Sequence, residues 1–468
     1  MGDPPIRTHV NSRNAAGRLP AIMVPSASRA GASMSDPNPI FISAGEASGE
    51  AYGALLISAL KIRLKAQGLD AAFIGMGGQR MVDAGLERVV RAEDMAVMGI
   101  TEVVSHLPRI YQEFRRLKRS IRERRPSLAI LIDFPDIHFK LAEELHRLGI
   151  PVLFFVSPQL WAWKKHRIKL VQKYVDRMLV IFPFEEQFYR ERGVQAEFVG
   201  HPLADLPLPT ISREQFATES DLDPQKTWIA LLPGSRAKEI RDNLPEMIKA
   251  AILLLHDYHL EQNHPEPQFV IPLAPTLTAL QRSEVESLVS KLRENLTIRL
   301  VSDRRAKGTV TRTGCAAEGT VGRTAGALFH ARASVVASGT ATVEAALIGN
   351  PFVVVYRVSP ITYAIAKRVV TVPHVAMANL IAGKRIVPEL IQSDFTAANI
   401  VREIEPLLPD GPPRQSMMEE LRRVRGLLST GTTGQTGQAE AHGAIDRVAD
   451  IALGYLGVPS PIVESVQS

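Results

Sequence analysis

The run Ser338-Gly339-Thr340-Ala341-Thr342-Val343-Glu344 follows the β-branched pair Val335-Val336 and precedes an apolar run over 351–356. This pattern reads as strand, Ser-Gly-Thr turn, a helix over 340–348 closed by Gly349-Asn350, then strand. A helix N-terminus leaves backbone N–H groups unpaired and carries partial positive charge, so Ser338, Gly339, Thr340 and Ala341 can hold a phosphate. Glu344, expected in the first turn, can accept two hydrogen bonds from a vicinal diol such as a ribose. A nucleoside diphosphate meets both demands. The plain alternative is that Ser338 and Thr340 cap the helix and Glu344 completes a capping box.

Three further stretches carry chemistry. Pro233-Gly234-Ser235-Arg236 follows an apolar strand over 227–232, and a Gly-Ser turn at a helix start with a forked guanidinium is an anion signal. Asp133 stands at the end of the continuous apolar run 128–132, the signature of a buried parallel strand. Ligands of open α/β sheets bind beyond the carboxyl ends of such strands, which makes Asp133 a functional carboxylate; helix capping belongs more naturally to Asp136. Glycines 45, 49 and 53 open a helix after the strand 40–43, with neither dinucleotide-binding nor P-loop spacing. Glu46 and Glu50 there repel a phosphate, so with Ser48 they suit a sugar's hydroxyls; close helix–strand packing through small residues is an equal reading. His201, beside Gly200 at a strand end, rivals Asp133 as a base.

The elements that must position these residues alternate strand and helix twice over, an α/β protein in two halves. Residues 1–36, rich in Pro, Ser, Ala, Gly and Arg, read as a disordered extension, with Met34 as an alternative start. The first half spans 37–205, a polar linker 206–226, and the second half 227–395 with an inserted low-complexity tract at 303–325. Helices follow over 396–468, broken by a Gly/Thr/Gln-rich tract at 430–443. Asp221-Leu222-Asp223 has the outline of a metal-binding motif, but no strand leads into it, so it reads as loop.

The 468 residues carry 55 Lys and Arg against 49 Asp and Glu, a net charge of +6 that leans toward anionic partners. The single cysteine excludes an internal disulfide and a Cys-based zinc site. No apolar run is long enough to span a bilayer. Residues 109–125 hold eight Lys or Arg and two Glu. A basic helix of this kind suits an anionic membrane surface as well as plain solvation. Apolar Met95, Val97, Met98 and Ile100 stand just upstream, which favours the membrane reading, and Trp161 and Trp163 precede a second basic run at 164–169, an arrangement that suits nucleic acid and a lipid–water boundary equally.

Asp133-Phe134-Pro135-Asp136, Ser157-Pro158-Gln159-Leu160-Trp161-Ala162-Trp163, Leu231-Leu232-Pro233-Gly234-Ser235-Arg236, the run 337–344 and Asn379-Leu380-Ile381-Ala382-Gly383 together resemble lipid-A-disaccharide synthases in order and spacing. The similarity runs from about residue 39 to about 427. Glu50 departs from it, since the family's first motif usually ends in Asp, and the tracts at 306–325 and 430–443 look inserted. The resemblance implies a GT-B-like fold of two Rossmann-like domains facing a central crevice, with the acceptor in the first and a UDP-sugar in the second. It implies transfer of diacylglucosamine from UDP-2,3-diacylglucosamine to 2,3-diacylglucosamine 1-phosphate, with a β-1,6 linkage, UDP release and no required metal or cofactor. Asp133 is then expected to deprotonate the acceptor's 6-hydroxyl, and Glu344 to bind the ribose. Asn379 and Arg385 are expected to help hold phosphate. Family members are peripheral to the cytoplasmic face of the inner membrane, and some exchange C-terminal segments in a homodimer. The other readings are a GT-B enzyme acting on a water-soluble UDP-N-acetylglucosamine-type sugar and a basic nucleic-acid-binding protein; the resemblance favours no nucleic acid.

Overall fold

A computed structural model describes residues 38–95, 100–260, 266–274, 277–292, 296–302, 322–359, 362–363, 367, 372–429 and 443–459, without the side chains of 100–107 and 257–260. Two parallel sheets organise it. The first has seven strands, β1 (Ile40–Ala44), β2 (Phe73–Gly77), β3 (Leu86–Arg91), β4 (Leu128–Ile132), β5 (Val152–Phe155), β6 (Arg177–Val180) and β7 (Ala196–Phe198), in the order β3-β2-β1-β4-β5-β6-β7. The second has six, β8 (Trp228–Leu232), β9 (Gln268–Pro272), β10 (Ile298–Val301), β11 (Ala333–Ala337), β12 (Phe352–Tyr356) and β13 (Glu389–Ile391), in the order β10-β9-β8-β11-β12-β13.

Each order reverses once, between β1 and β4 and between β8 and β11. At such a switch point the crossover helices leave to opposite faces, and a crevice opens beyond the carboxyl ends of the two strands. Ala44 pairs with Ile132, so Gly45 and Asp133 flank the first crevice. Leu232 pairs with Val336, which brings the turns 233–236 and 338–340 to the second. The central strands are buried along their whole length, as helices on both faces require.

Two strands escape the sequence pattern. β3 (Leu86-Glu87-Arg88-Val89-Val90-Arg91) mixes three charged with three apolar residues at a sheet edge, and β13 is three residues long. β2 runs on to Gly77 past a register shift between Gly75 and Met76; Gly75 adopts φ +151°, where a β-carbon would collide with the carbonyl oxygen of Ile42. The expected linker contains the helix Arg213–Ser220, capped by the Ser212 hydroxyl at Gln215 N–H, 3.1 Å. Arg213 docks it by donating to the carbonyls of Pro224, Lys226 and His330 (2.7–2.8 Å) while its guanidinium lies 3.8 Å from the Trp228 ring centroid. The expected insertion lies largely outside the described residues, and the helix Arg323–His330 begins within its end. The basic stretch belongs to a helix Ile100–Arg124.

The chain finally returns to the first half. The helix Pro412–Leu428 packs on the helix Thr340–Ile348, and the Leu428 carbonyl accepts from His201 N–H at 2.9 Å. The helix Ala444–Tyr455 packs on the helix Ala47–Ala66, where Arg63 bridges Asp446 (2.7 Å) and Asp450 (3.0 Å). Asp205 takes the Ala444 N–H at 2.6 Å.

Candidate active site

Asp133 leaves β4 in an unusual way. It and Phe134 are both left-handed, at φ +52° and +51°, before the helix Pro135–Arg147 begins. The Asp133 peptide is tied at both ends: its N–H donates to the Phe155 carbonyl at 2.9 Å, and its carbonyl lies 2.5 Å from Nδ1 of His138. His138 is fully buried, and its Nε2 lies 2.8 Å from the Ser43 hydroxyl. Burial pushes the Asp133 carboxyl up to about 6; the neighbouring carboxylate of Glu46 adds to this, and the Phe134 N–H offsets part of it. At neutral pH the group is ionised yet a stronger base than an ordinary aspartate. Neither Ser43 nor His138 stands out in sequence, since a lone histidine in a helix's first turn has no motif to mark it.

On the acceptor side, Glu46 is exposed at the start of the helix Ala47–Ala66 and Ser48 is half-buried beside it. Glu50 has a structural partner: its carboxylate accepts the Arg80 N–H at 2.9 Å and caps the helix Gln79–Asp83, pressed against Gly78. Tyr52, buried one turn on, is a site residue that sequence reasoning passed over. Its phenol is held protonated by burial first, then by the carboxylates of Asp133 and Glu344, one from each half. His201 stands edge-on to Tyr52, ring centroids 6.5 Å apart. It is 2 % exposed, burial pushes it down to about 3, and its Nδ1 accepts the Leu203 N–H at 3.2 Å. With that nitrogen engaged and the ring sealed, His201 is a poorer base than Asp133.

On the donor side, the helix Thr340–Ile348 starts at Gly339, φ +154°, with no side chain capping it. The capping role considered for Ser338 and Thr340 is therefore not what they do. The Thr342 hydroxyl instead donates to the Gly339 carbonyl at 2.7 Å. Glu344 is the fifth helical residue rather than part of the first turn, which removes the capping box and carries it toward Tyr52. In the neighbouring turn Gly234 adopts φ +125°. Here Glu239 accepts from the N–H groups of Ser235 (3.1 Å) and Arg236 (3.4 Å), with the Arg236 guanidinium at 3.4 Å. A carboxylate thus sits where the turn presents its donors. The Tyr356 phenol is raised by burial and by Glu239, and lowered by Arg236.

Asn379 requires a correction. It is fully buried and makes four hydrogen bonds, donating to Val387 O (3.0 Å) and Glu389 (2.8 Å) and accepting from the N–H groups of Ile386 (2.7 Å) and Val387 (2.9 Å). No capacity remains for a phosphate; it ties down the loop that carries exposed Arg385. Trp161 is also internal, donating to Glu185 at 3.0 Å, and burial holds that carboxyl up at about 8. Trp163 is 43 % exposed with the Lys164 ammonium 4.1 Å from its ring centroid. Met95 is 3 % exposed in the core, Val97 and Met98 lie outside the described residues, and so does the side chain of Ile100. Asp221 pairs with Arg299 at 2.8 Å and Asp223 caps Gln225, both loop roles. Among the described residues no group of three or more His, Cys, Asp or Glu is arranged to hold a metal, and no helix is long and apolar enough to cross a membrane.

Comparison with known proteins is consistent with this geometry. Among solved structures, the UDP co-structure of MnaA from S. aureus superposes with a TM-score of 0.54 at 12 % identity, covering 90 % of this chain and 99 % of that one. The calicheamicin glycosyltransferase CalG4 gives 0.53 at 16 %, covering 91 % and 100 %. These likenesses show the GT-B-like fold. In sequence, a lipid-A-disaccharide synthase of Acidobacterium capsulatum is 62 % identical over 405 residues, 85 % of this chain and 93 % of that one. That of Koribacter versatilis is 45 % identical over 410 residues, 88 % and 98 %. The family model described as lipid-A-disaccharide synthetase matches residues 40–298 and 283–441, and the chain belongs to the lipid-A-disaccharide synthase family.

Proposed function

We infer that this protein is a glycosyltransferase of lipid A biosynthesis. It transfers 2,3-diacylglucosamine from its UDP-activated form to 2,3-diacylglucosamine 1-phosphate, giving the tetraacyl disaccharide 1-phosphate and UDP. The observation that supports this reaction geometry is the turn that holds Asp133 just beyond the carboxyl end of β4, where the strand order reverses, with its peptide tied to Phe155 and His138; Glu344 of the second half acts with it on the buried Tyr52 phenol.

In this reading Asp133 takes the proton from the acceptor's 6-hydroxyl as that oxygen attacks the anomeric carbon. The bond from that carbon to the diphosphate oxygen breaks, and the electron pair leaves with UDP. Attack opposite the leaving group inverts the anomeric centre. The helix start at 338–341, Ser235 and Arg236 offset the charge that grows on the diphosphate. Arg385, exposed on the loop that Asn379 ties down, is assigned to the same charge, and Glu46 and Ser48 receive the acceptor's hydroxyls.

The lipid substrates call for a membrane face. The exposed cations of the helix Ile100–Arg124, with Trp163 and its lysine neighbours, suit the anionic cytoplasmic surface of the inner membrane, where the protein is peripheral. A homodimer exchanging the helix Ala444–Tyr455 would reuse the Arg63 bridge between copies.

The test is UDP release from UDP-2,3-diacylglucosamine with and without the acceptor, in wild type and Asp133→Ala. Release that needs the acceptor and falls about 100-fold or more in the variant, to a slow residual rate, supports both the transfer and the base. Acceptor-dependent release that survives moves the base elsewhere. A protein that binds UDP, loses that binding in Glu344→Ala, and never turns over the lipid pair acts on a water-soluble UDP-sugar instead.

A further inference from the structure

We propose that His138 is a positioning residue for Asp133, acting on its backbone carbonyl and locked in one tautomer by Ser43. This deepens the reading of Asp133 as the base and rests on it.

The geometry leaves one assignment of protons. A carbonyl oxygen only accepts, so the His138 nitrogen 2.5 Å from the Asp133 oxygen, Nδ1, carries the hydrogen. Nε2 is then an acceptor, and the Ser43 hydroxyl 2.8 Å away donates to it. Ser43 and His138 are both fully buried, and His138 packs edge-on between Phe134 (5.8 Å) and Phe154 (6.1 Å). Burial also keeps the ring neutral, down at about 4, so the tautomer holds at working pH.

A structural role alone would not need this arrangement. Two successive non-glycine residues in the left-handed region form a turn that the chain does not adopt unaided, since each residue there is strained by roughly 1–2 kcal/mol. The restraints converge on Asp133: its N–H on β5, its carbonyl on His138, and the Phe134 carbonyl on the His138 N–H at 3.1 Å. With the peptide fixed on both sides, the side chain of Asp133 leaves the backbone in one direction. A base must meet its proton within a few tenths of an ångström, and a displacement of about 1 Å lowers a rate on the order of 100-fold. The chain Ser43 to His138 to Asp133 carries rigidity from the centre of the sheet to the reacting group.

The experiment measures kcat and KM for His138→Phe, which keeps an aromatic ring and removes both hydrogen bonds, for His138→Gln, whose amide can donate, and for Ser43→Ala. Each is made alone and with Asp133→Ala, and UDP affinity reports the integrity of the second half. The expected result for His138→Phe is a 10- to 100-fold loss in kcat with KM for the donor and UDP affinity unchanged, partial recovery in His138→Gln, and a smaller loss in Ser43→Ala. In the Asp133→Ala background the same changes cause no further loss, because His138 acts through Asp133. Wild-type kcat in His138→Phe overturns the proposal, as does an equal fold-loss with and without Asp133. If His138→Phe does not fold, Ser43→Ala decides: a kcat loss dependent on Asp133 supports it, and wild-type kcat overturns it. Full activity of Asp133→Ala alone removes the base reading, a result visible without any change at 138, and this proposal falls with it.

Discussion

The Phe134 ring lies so close over the α-carbon of Gly45 that a β-carbon there would stand well inside 3.0 Å of it. Gly45 follows β1 and Phe134 follows Asp133, so this contact joins the two sides of the first crevice. Gly45→Ala forces the ring away and loosens the left-handed turn that it braces. We expect kcat to fall at least tenfold with UDP affinity unchanged, and stability to fall by about 1–3 kcal/mol, as overpacking does. Steady-state kinetics beside urea unfolding checks both; full kcat in a folded variant would show that the ring moves without consequence.

Asp133 sets a pH dependence. Its carboxyl is raised to about 6 chiefly by burial, and a base works only when ionised. The kcat/KM profile should therefore rise through about pH 6 and level off above it. The same shift runs against stability: a carboxyl that binds its proton more tightly folded than unfolded destabilises the protein as pH rises from about 4 to 6, and the full penalty is present above that. Asp133→Asn should consequently be inactive and more stable at pH 7.5 by roughly 1–3 kcal/mol, the raised value being discounted for partial exposure. A variant less stable than wild type would mean that the charge is needed for folding.

The fold was largely legible because parallel strands buried on both faces, such as Leu128–Ile132, are uninterrupted apolar runs, and the loops after them fall at switch points. The edge strands were not, since β3 needs only half its side chains apolar. Within the site, the residue types pointed to Asp133, Arg236 and Glu344 as candidates, but residue type does not say whether a polar side chain turns to a ligand or to its own backbone. Asn379 and Glu50 turn to backbone, the first to a loop and the second to a helix start. Ser43 and His138 meet across 95 residues, a separation that no local pattern encodes.

Glu239 competes with an anion for the 234–236 turn. Its carboxylate accepts the Ser235 and Arg236 N–H groups and neighbours the Arg236 guanidinium, so a diphosphate arriving there meets a like charge. Glu239→Gln keeps an acceptor and removes the charge. We expect UDP to bind about 3- to 10-fold more tightly, with stability lowered by about 1 kcal/mol for the weakened cap. Calorimetric titration with UDP measures this, and weaker binding would show that the carboxylate orders the turn for its ligand.

The bridge from Arg63 to Asp446 and Asp450 closes the molecule, and its two carboxylates are not equivalent. Asp446 is 43 % exposed, so its pairing contributes little, because water screens it. Asp450 is 9 % exposed, and its second oxygen is buried with no partner among the described residues. Arg63→Met leaves that carboxylate buried and unpaired, which destabilises by about 3–5 kcal/mol. Adding Asp450→Leu removes the stranded charge and fills the space, so the double variant should recover most of the loss. Asp446→Asn alone should shift stability by less than about 1 kcal/mol. Urea unfolding of the three variants separates these cases: if the double variant is as unstable as Arg63→Met, the helix Ala444–Tyr455 depends on the charged bridge itself rather than on the apolar packing around it.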